Sequence, residues 1–155
     1  LKNNKIASVI KHIPGHGCAD VDSHKKLPIV KDNLKKLYSN DFLAFKNLNS
    51  HFAMTAHVLY KKIDSKFVAT QSSKILKTVI RKKLKFNGLI ISDDISMKAL
   101  SRNLVLNARI ALQAGCNLVL HCNGKINETS KLLRSLNKID TFTKKKTHQF
   151  YEFLR

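Results

Sequence analysis

The sequence predicts an α/β protein built on a parallel sheet, because strand-like and helix-like apolar patterns alternate along it four times. A second observation points the same way, since polar and ionisable residues gather where the predicted strands end. These residues are Lys11, His12, His57, Asp93, Asp94 and His121. In α/β folds ligands bind at the carboxyl ends of the strands, so this placement favours an enzyme.

The length and composition are those of one folded domain. The chain has 155 residues, of which 43% are hydrophobic, and this is too apolar for a disordered chain despite a net charge of +19. No apolar run approaches the roughly 20 residues of a membrane span, and the opening residues do not resemble a signal peptide. Cys18, Cys116 and Cys122 form no C-x-x-C pair, which argues against a disulfide scaffold and favours a reduced, cytoplasmic setting.

The predicted elements follow in order along the chain. Strands are predicted over residues 6–10, 52–56, 88–92 and 117–121. Helices are predicted over residues 34–48 and 75–84, from Asn103 to Gly115, over 127–139 and over 144–155. Gly115 is the expected C-cap of the third helix, and Asn127 the expected N-cap of the fourth, with Glu128 in its first turn.

The charge makes a nucleic acid the first partner to consider, because 29 Lys and Arg stand against 10 Asp and Glu. The lysines occur on almost every segment rather than on one face, and aromatic residues make up only 7% of the chain. No RNA-binding, zinc-finger or glycine-rich nucleotide motif is present in the sequence. We therefore expect no nucleic-acid partner; an anionic small substrate or compositional drift fits the charge equally well.

The stretch from Lys11 to His24 is the densest in reactive side chains. A strand ends at Pro14-Gly15, and a polar loop follows. Asp22 and His24 are two residues apart, so in an extended segment the carboxylate can hold and polarise the imidazole. Such a histidine can donate and recover a proton near neutral pH. Taken alone, however, a D-x-H pair is more often part of a polar loop with incidental histidines.

A zinc site in the same loop must also be weighed. His12, His16, Cys18 and His24 lie close together in the sequence, but their spacing matches no known zinc motif. We therefore expect no metal.

Asp93 and Asp94 form a second candidate group, at the end of the third predicted strand. Two adjacent buried carboxylates raise one another's pKa, which makes them a poor structural choice. A carboxylate held there can act as a nucleophile or bind substrate hydroxyls. The alternative is a solvated turn in which Asp94 caps the following segment, and these residues alone leave both interpretations open.

Together these segments resemble the family 3 glycoside hydrolases, and among them the bacterial cytoplasmic β-N-acetylglucosaminidases. The motifs are KHIPGHG followed by DSH, then TAHVLY, FNGLIISDDISMKAL and AGCNLVLHCN. They occur in the family's order and near its spacing, between residues 6 and 133.

The resemblance implies a role for five residues. Asp93 is the implied catalytic nucleophile, which forms a glycosyl-enzyme ester. His24 is the implied general acid/base, with Asp22 as its partner, where most retaining glycosidases use a second carboxylate. Lys11 and His12 are the implied substrate-binding pair.

The implied activity is that of a retaining exo-β-N-acetylglucosaminidase. Its substrate would be a muropeptide or another saccharide that ends in β-linked N-acetylglucosamine, which implies a role in peptidoglycan recycling. No metal, organic cofactor, nucleic acid or membrane is implied. We expect His57 to line the pocket, without a specific contact.

The resemblance also implies a barrel larger than this chain. The family's catalytic domain is a (β/α)8 TIM-type barrel, which typically takes about 250 residues, whereas the pattern here gives about four βα units. We therefore expect an incomplete barrel, in which residues 1–155 are the C-terminal half and an N-terminal half-barrel is the partner. Residue 1 is Leu rather than Met, which favours a piece of a longer polypeptide. The alternative is a split or decayed gene product, a non-catalytic remnant that binds sugar weakly or supports a partner half.

Overall fold

A computed structural model describes residues 2–23 and 26–155. Its strands are β1 (Val9–Ile13), β2 (Ile29–Val30), β3 (Phe52–Thr55), β4 (Leu59–Tyr60), β5 (Leu89–Asp94) and β6 (Leu118–Leu120). Four of them form the main sheet in the order β1-β3-β5-β6, and each adjacent pair is parallel. The two short strands β2 and β4 form a separate parallel pair.

A helix follows each strand of the main sheet, which confirms the predicted alternation. The helices are α1 (Leu34–Ser39), a π-helix (Lys74–Lys83), α2 (Leu104–Ala114), α3 (Ile126–Ser135) and α4 (Thr141–Leu154). Short 3-10 turns cover Lys2–Asn4, Leu43–Phe45 and Ala69–Gln71. Within the described ranges, none of the helices has both the length and the apolar character needed to cross a membrane.

Local sequence explains where α2 begins and ends. Asn103 Oδ1 accepts a hydrogen bond from the Leu106 backbone N–H at 3.0 Å, which caps the first turn. At the other end Gly115 has a φ of +127°, a conformation that residues with a Cβ rarely adopt. The predicted C-cap at Gly115 is therefore confirmed.

The main hydrophobic core lies between the sheet and the π-helix. Ile13, Ala53 and Ile90 of three neighbouring strands are completely buried, as are Ile75 and Ile80 of the π-helix. The apolar stripe predicted over residues 75–84 thus faces the sheet. A smaller cluster joins α2 and α3 to the loop after β5; it comprises Val68, Ile95, Leu100, Ala108 and Leu132.

Helix α4 lies against the amino-terminal end of the main sheet. The Phe150 ring packs on Phe52, at the start of β3, with 4.8 Å between ring centroids. Asn117, just before β6, donates a hydrogen bond from Nδ2 to Thr143 Oγ1 at 2.9 Å. The carboxyl ends of the strands lie at the opposite end of the sheet, where the candidate site residues are found.

Several predicted boundaries are wrong, among them one in the first strand and two in the helices. The first strand runs to Ile13, because its pairing with β3 continues to Ile13 opposite Thr55. The helix predicted over 34–48 ends at Ser39, and the later 3-10 turn continues the same apolar spacing. Helix α3 begins one residue before Asn127, with Lys125 at the N-cap position.

Candidate active site

The carboxyl ends of β1 and β5 bring His12 and Asp93 together. Asp93 Oδ2 lies 3.6 Å from His12 Nε2, although β3 separates the two strands in the sheet. The Asp93 side chain is 14% exposed and that of His12 is 30% exposed. A carboxylate and an imidazole therefore share a surface that a ligand can reach from solvent.

The Asp94 carboxylate accepts hydrogen bonds from the loops that follow β5 and β6. Its Oδ2 accepts a hydrogen bond from the Ser96 hydroxyl at 2.6 Å, and its Oδ1 accepts from the backbone N–H groups of Ser96 and Cys122 at 3.1 and 3.3 Å. Burial raises the pKa of Asp94, but these hydrogen bonds outweigh it and hold the pKa below its ordinary value. The Asp94 side chain is the cap that the alternative interpretation of this turn predicts.

The two oxygens of the Asp93 carboxylate have different surroundings. Its Oδ1 accepts a hydrogen bond from the Asp94 backbone N–H at 2.8 Å, while Oδ2 faces His12. A carboxylate that is fixed at one oxygen and presented at the other is suited to nucleophilic attack. Of the two adjacent acids, the geometry thus favours Asp93 as the reactive one.

His57 is completely buried and hydrogen-bonded at both ring nitrogens. Nδ1 lies 2.7 Å from Thr70 Oγ1, and Nε2 lies 3.0 Å from the backbone carbonyl oxygen of Asp94. The expectation that His57 lines the pocket is wrong, since its ring reaches no solvent. Burial lowers the pKa of His57 below its ordinary value and outweighs the Asp94 carbonyl and the Asp93 and Asp94 carboxylates, which raise it.

The other predicted site residues lie on β1 and the loop after it. Lys11 is exposed beside His12, and the peptide bonds Lys11–His12 and Ile13–Pro14 are both cis. Asp22 is exposed, and its carbonyl accepts a hydrogen bond from the Lys26 N–H at 3.1 Å. His24 lies outside the described residues, so the Asp22–His24 pair stays a prediction.

Residues that sequence reasoning missed hold the loop after β1. Asp41 Oδ1 accepts a hydrogen bond from the Gly17 N–H at 3.0 Å, and the Tyr60 hydroxyl donates to the Gly15 carbonyl. Gly15 has a φ of +154°, and a Cβ on it would overlap the Asp41 carboxyl group. The Pro-Gly turn was visible in the sequence, but no sequence signal links Asp41 or Tyr60 to it across such separations.

His121 and His16 each lie close to one polar side chain. His121 Nε2 lies 3.3 Å from Glu128 Oε2 at the end of β6, and His16 Nε2 lies 3.4 Å from Ser23 Oγ. Across residues 2–23 and 26–155, no three His, Cys, Asp or Glu side chains are grouped so that they could hold a metal ion. Cys18, Cys116 and Cys122 are free thiols.

Sequence comparison connects this chain with a family and with curated relatives. The model of the glycosyl hydrolase family 3 N terminal domain matches residues 1–149. The chain is 38% identical over 141 residues to a beta-hexosaminidase of Methylobacillus flagellatus, covering 88% of this chain and 40% of that protein. It is 41% identical over 124 residues to the beta-hexosaminidase of Haemophilus influenzae, covering 76% of this chain and 35% of that protein. The chain thus spans about two fifths of the length of these relatives.

Solved structures agree with the sequence comparison. NagZ from Neisseria gonorrhoeae, solved in complex with N-trifluoroacetyl-D-glucosamine, superposes with a TM-score of 0.80 at 30% identity, over 97% of this chain and 43% of that one. A family 3 β-N-acetylglucosaminidase from a Paenibacillus species gives a TM-score of 0.83 at 26% identity, over 98% of this chain and 31% of that one. A family model that covers nearly all of the chain, and relatives that share both its sequence and its fold, lead to one conclusion: the chain belongs to glycosyl hydrolase family 3.

Proposed function

We propose that the protein carrying this chain is a retaining exo-β-N-acetylglucosaminidase with Asp93 as its nucleophile. The observation that carries the proposal is the geometry of Asp93, whose Oδ1 is held by the Asp94 N–H while Oδ2 faces His12. The names of the relatives support the substrate class, because the curated ones are beta-hexosaminidases and NagZ was solved with a glucosamine derivative.

The reaction has two steps. In the first, Asp93 attacks the anomeric carbon, the glycosidic bond breaks, and His24 gives a proton to the departing oxygen. In the second, His24 takes a proton from water, whose oxygen displaces the Asp93 carboxylate and releases the sugar. Asp22 stabilises the imidazolium form in which His24 enters the first step and leaves the second. The roles of His24 and Asp22 rest on the sequence resemblance alone.

Lys11 and His12 bind the sugar in this proposal. Both lie on β1, and His12 Nε2 is 3.6 Å from Asp93 Oδ2, the attacking oxygen. Ammonium and imidazole N–H groups can donate hydrogen bonds to sugar hydroxyls. Such bonds would place the anomeric carbon over Asp93, so that the attack becomes effectively unimolecular within the enzyme–substrate complex.

We also propose that residues 1–155 form the C-terminal half of a (β/α)8 barrel. The main sheet follows chain order, as barrel strands do, whereas the order reverses at one point in a doubly wound sheet. β1 and β6 are the edges of this sheet in the described residues. A groove of about 680 Å³ lies beside β6, and its apolar lining includes Leu112, Leu118 and Leu136. A complementary half-barrel would cover both edges.

The biological setting follows from the same resemblance. We propose that the substrates are cytoplasmic peptidoglycan fragments that end in β-linked N-acetylglucosamine.

The nucleophile is tested with two adjacent isosteric variants in the complete protein. Asp93→Asn should lower kcat on 4-nitrophenyl β-N-acetylglucosaminide by at least about 10³-fold, because an amide is a poor nucleophile. The matched control, Asp94→Asn, keeps most of its loop contacts and should retain at least about a tenth of the wild-type kcat. Circular dichroism checks that both variants fold. Substantial turnover by Asp93→Asn, or an equal loss in both variants, contradicts the assignment.

The barrel proposal is tested first at the gene. About 200 in-frame codons upstream of Leu1 that alternate strand and helix patterns support a half-barrel. Residues 1–155 expressed alone should then lack hydrolysis, and the complete product should show it. A stop codon or unrelated sequence upstream contradicts the proposal and favours the non-catalytic remnant.

A further inference from the structure

We infer that His57, held by Thr70 and acting through the backbone of Asp94, is a positioning residue that fixes the Asp93 carboxylate for attack. This inference rests on the proposed function. His57 does not reach the surface of the site, so it acts on the reaction only through other groups.

β5 extends beyond its pairing with β3. Residue pairing between β3 and β5 extends to Met54 opposite Ile91, whereas β5 itself continues to Asp94. The Asp94 carbonyl accepts two hydrogen bonds, from His57 Nε2 at 3.0 Å and from the Met97 backbone N–H at 3.1 Å. The His57 side chain thus holds the Asp94 carbonyl on the β3 side, beyond the last backbone pair of the two strands.

The two hydrogen bonds of His57 indicate which ring nitrogen carries the proton. A carbonyl oxygen only accepts, so Nε2 must carry the hydrogen that it donates to Asp94. Burial lowers the pKa of His57, so the ring is neutral near pH 7 and Nδ1 is then an acceptor. The Thr70 hydroxyl has one hydrogen, and we assign it to Nδ1 at 2.7 Å rather than to the Ala56 carbonyl oxygen at 3.1 Å. The Thr55 hydroxyl, 2.8 Å from Thr70 Oγ1, supplies a hydrogen bond to Thr70 in turn.

The backbone of Asp94 connects His57 to the Asp93 carboxylate. Asp94 accepts at its carbonyl from His57 and donates from its N–H to Asp93 Oδ1. The same residue is therefore held on one side and holds the candidate nucleophile on the other. A displacement of about 1 Å at a reacting group can cost about 10²-fold in rate.

The burial of this network indicates that its polar character matters. His57, Thr55 and Thr70 are all fully buried beneath the site. Burying polar groups costs free energy unless each is hydrogen-bonded, and apolar residues of similar shape would fill the same space without that requirement. Packing alone therefore does not account for a histidine at this position.

The test compares two variants of His57 in the complete protein. His57→Gln can keep a donor near the Nε2 position, whereas His57→Phe keeps the ring volume without any donor. We expect His57→Phe to lower kcat by about 10²-fold with little change in KM, and His57→Gln to recover to within about 10-fold of wild type. Both kinetic constants are measured at a temperature where circular dichroism shows each variant folded. Equal kcat in the two variants, or a loss confined to KM, overturns the inference.

A second pair of variants tests the role of the Thr70 hydroxyl. Thr70→Val removes the donor to Nδ1 at almost constant shape, and Thr70→Ser retains it. We expect Thr70→Val to lower kcat and Thr70→Ser to restore it. A long-range ¹H–¹⁵N NMR spectrum should show His57 as the Nε2–H tautomer in the wild type and in Thr70→Ser.

The two proposals fail in different ways. If the nucleophile assignment is wrong, Asp93→Asn retains turnover, whatever the His57 variants do. If only the inference is wrong, Asp93→Asn abolishes turnover while His57→Phe keeps the wild-type kcat. An Nδ1–H tautomer in the NMR spectrum overturns the inference without reference to activity, because Nε2 then has no proton to donate to Asp94.

Discussion

Two adjacent aspartates at the end of β5 show how identical side chains acquire different chemistry. The Asp94 side chain accepts hydrogen bonds from the Ser96 hydroxyl and from two backbone N–H groups, whereas Asp93 Oδ1 accepts from the Asp94 N–H and Oδ2 faces His12. Strand geometry causes the difference, because successive side chains leave a strand on opposite sides. One acid therefore binds loops and the other faces the site.

The hydrogen bonds of Asp94 predict how stability depends on pH. Its pKa is lower in the folded chain than in the unfolded one, so the ionised form stabilises the fold above the unfolded pKa, near 4. That contribution is lost as the pH falls through the folded pKa. We expect Asp94→Ala to cost about 1 kcal/mol of unfolding free energy near pH 7, since partial exposure screens these bonds.

Urea unfolding of the wild type and Asp94→Ala at pH 7 and pH 3 checks this expectation. The difference between the two proteins should shrink at pH 3. A difference that stays constant with pH would mean that the carboxylate charge contributes nothing to the fold.

At the scale of elements, the start of β5 depends on a close approach that only glycine permits. A Cβ on Gly88 would lie 2.5 Å from the Ser50 carbonyl oxygen and 2.7 Å from that of His51. The next residue, Leu89, donates its N–H to the His51 carbonyl at 2.8 Å, which begins the pairing of β3 with β5. These two carbonyl oxygens, together with the Phe86 ring at 2.6 Å, leave no room for a side chain.

We therefore expect Gly88→Ala to destabilise the fold by about 3 kcal/mol, through overpacking between the two central strands. The matched control is Gly124→Ala, which has a φ of +70° but nothing within 4 Å of the added Cβ, and should cost about 1 kcal/mol. Chemical denaturation of both variants measures the two costs. A cost for Gly88→Ala no larger than that for Gly124→Ala would show that the approach of β3 does not restrict this position.

The elements also show which features sequence reasoning reaches. The strand–helix alternation, the cap at Gly115 and the meeting of His12 with Asp93 follow from local patterns and from the geometry of parallel sheets. β2 and β4 have two residues each, too few to give an apolar alternation. The partnership of His57 with Thr70 and Asp94 depends on three-dimensional packing, and a buried histidine at a strand end looks in sequence like one that lines a pocket.

At the scale of the whole molecule, the charge of +19 is opposed by few ion pairs. Pairs in the described residues include Lys36–Asp32 at 2.8 Å, Lys125–Glu128 at 3.4 Å and Arg155–Glu152 at 3.1 Å, all largely exposed. Exposed pairs of this kind contribute at most about 1 kcal/mol each. Repulsion among the many lysines therefore dominates the surface electrostatics and opposes the compact state.

Salt should consequently stabilise this protein, since the Debye length falls to about 10 Å at 0.1 M and lysine repulsion is screened. We expect Tm to rise when NaCl is raised from about 20 mM to about 300 mM. Lys144→Gln/Lys145→Gln, on the exposed face of α4 near its amino-terminal end, should raise Tm at low salt and flatten this dependence, because it removes both repulsion and an unfavourable helix-dipole contact. Lys36→Gln, which gives up an ion pair with Asp32, should not raise Tm. Differential scanning calorimetry at both salt concentrations measures these shifts. If salt lowers the Tm of the wild type, attraction between opposite charges outweighs repulsion among the lysines, and the excess of lysine does not destabilise the fold.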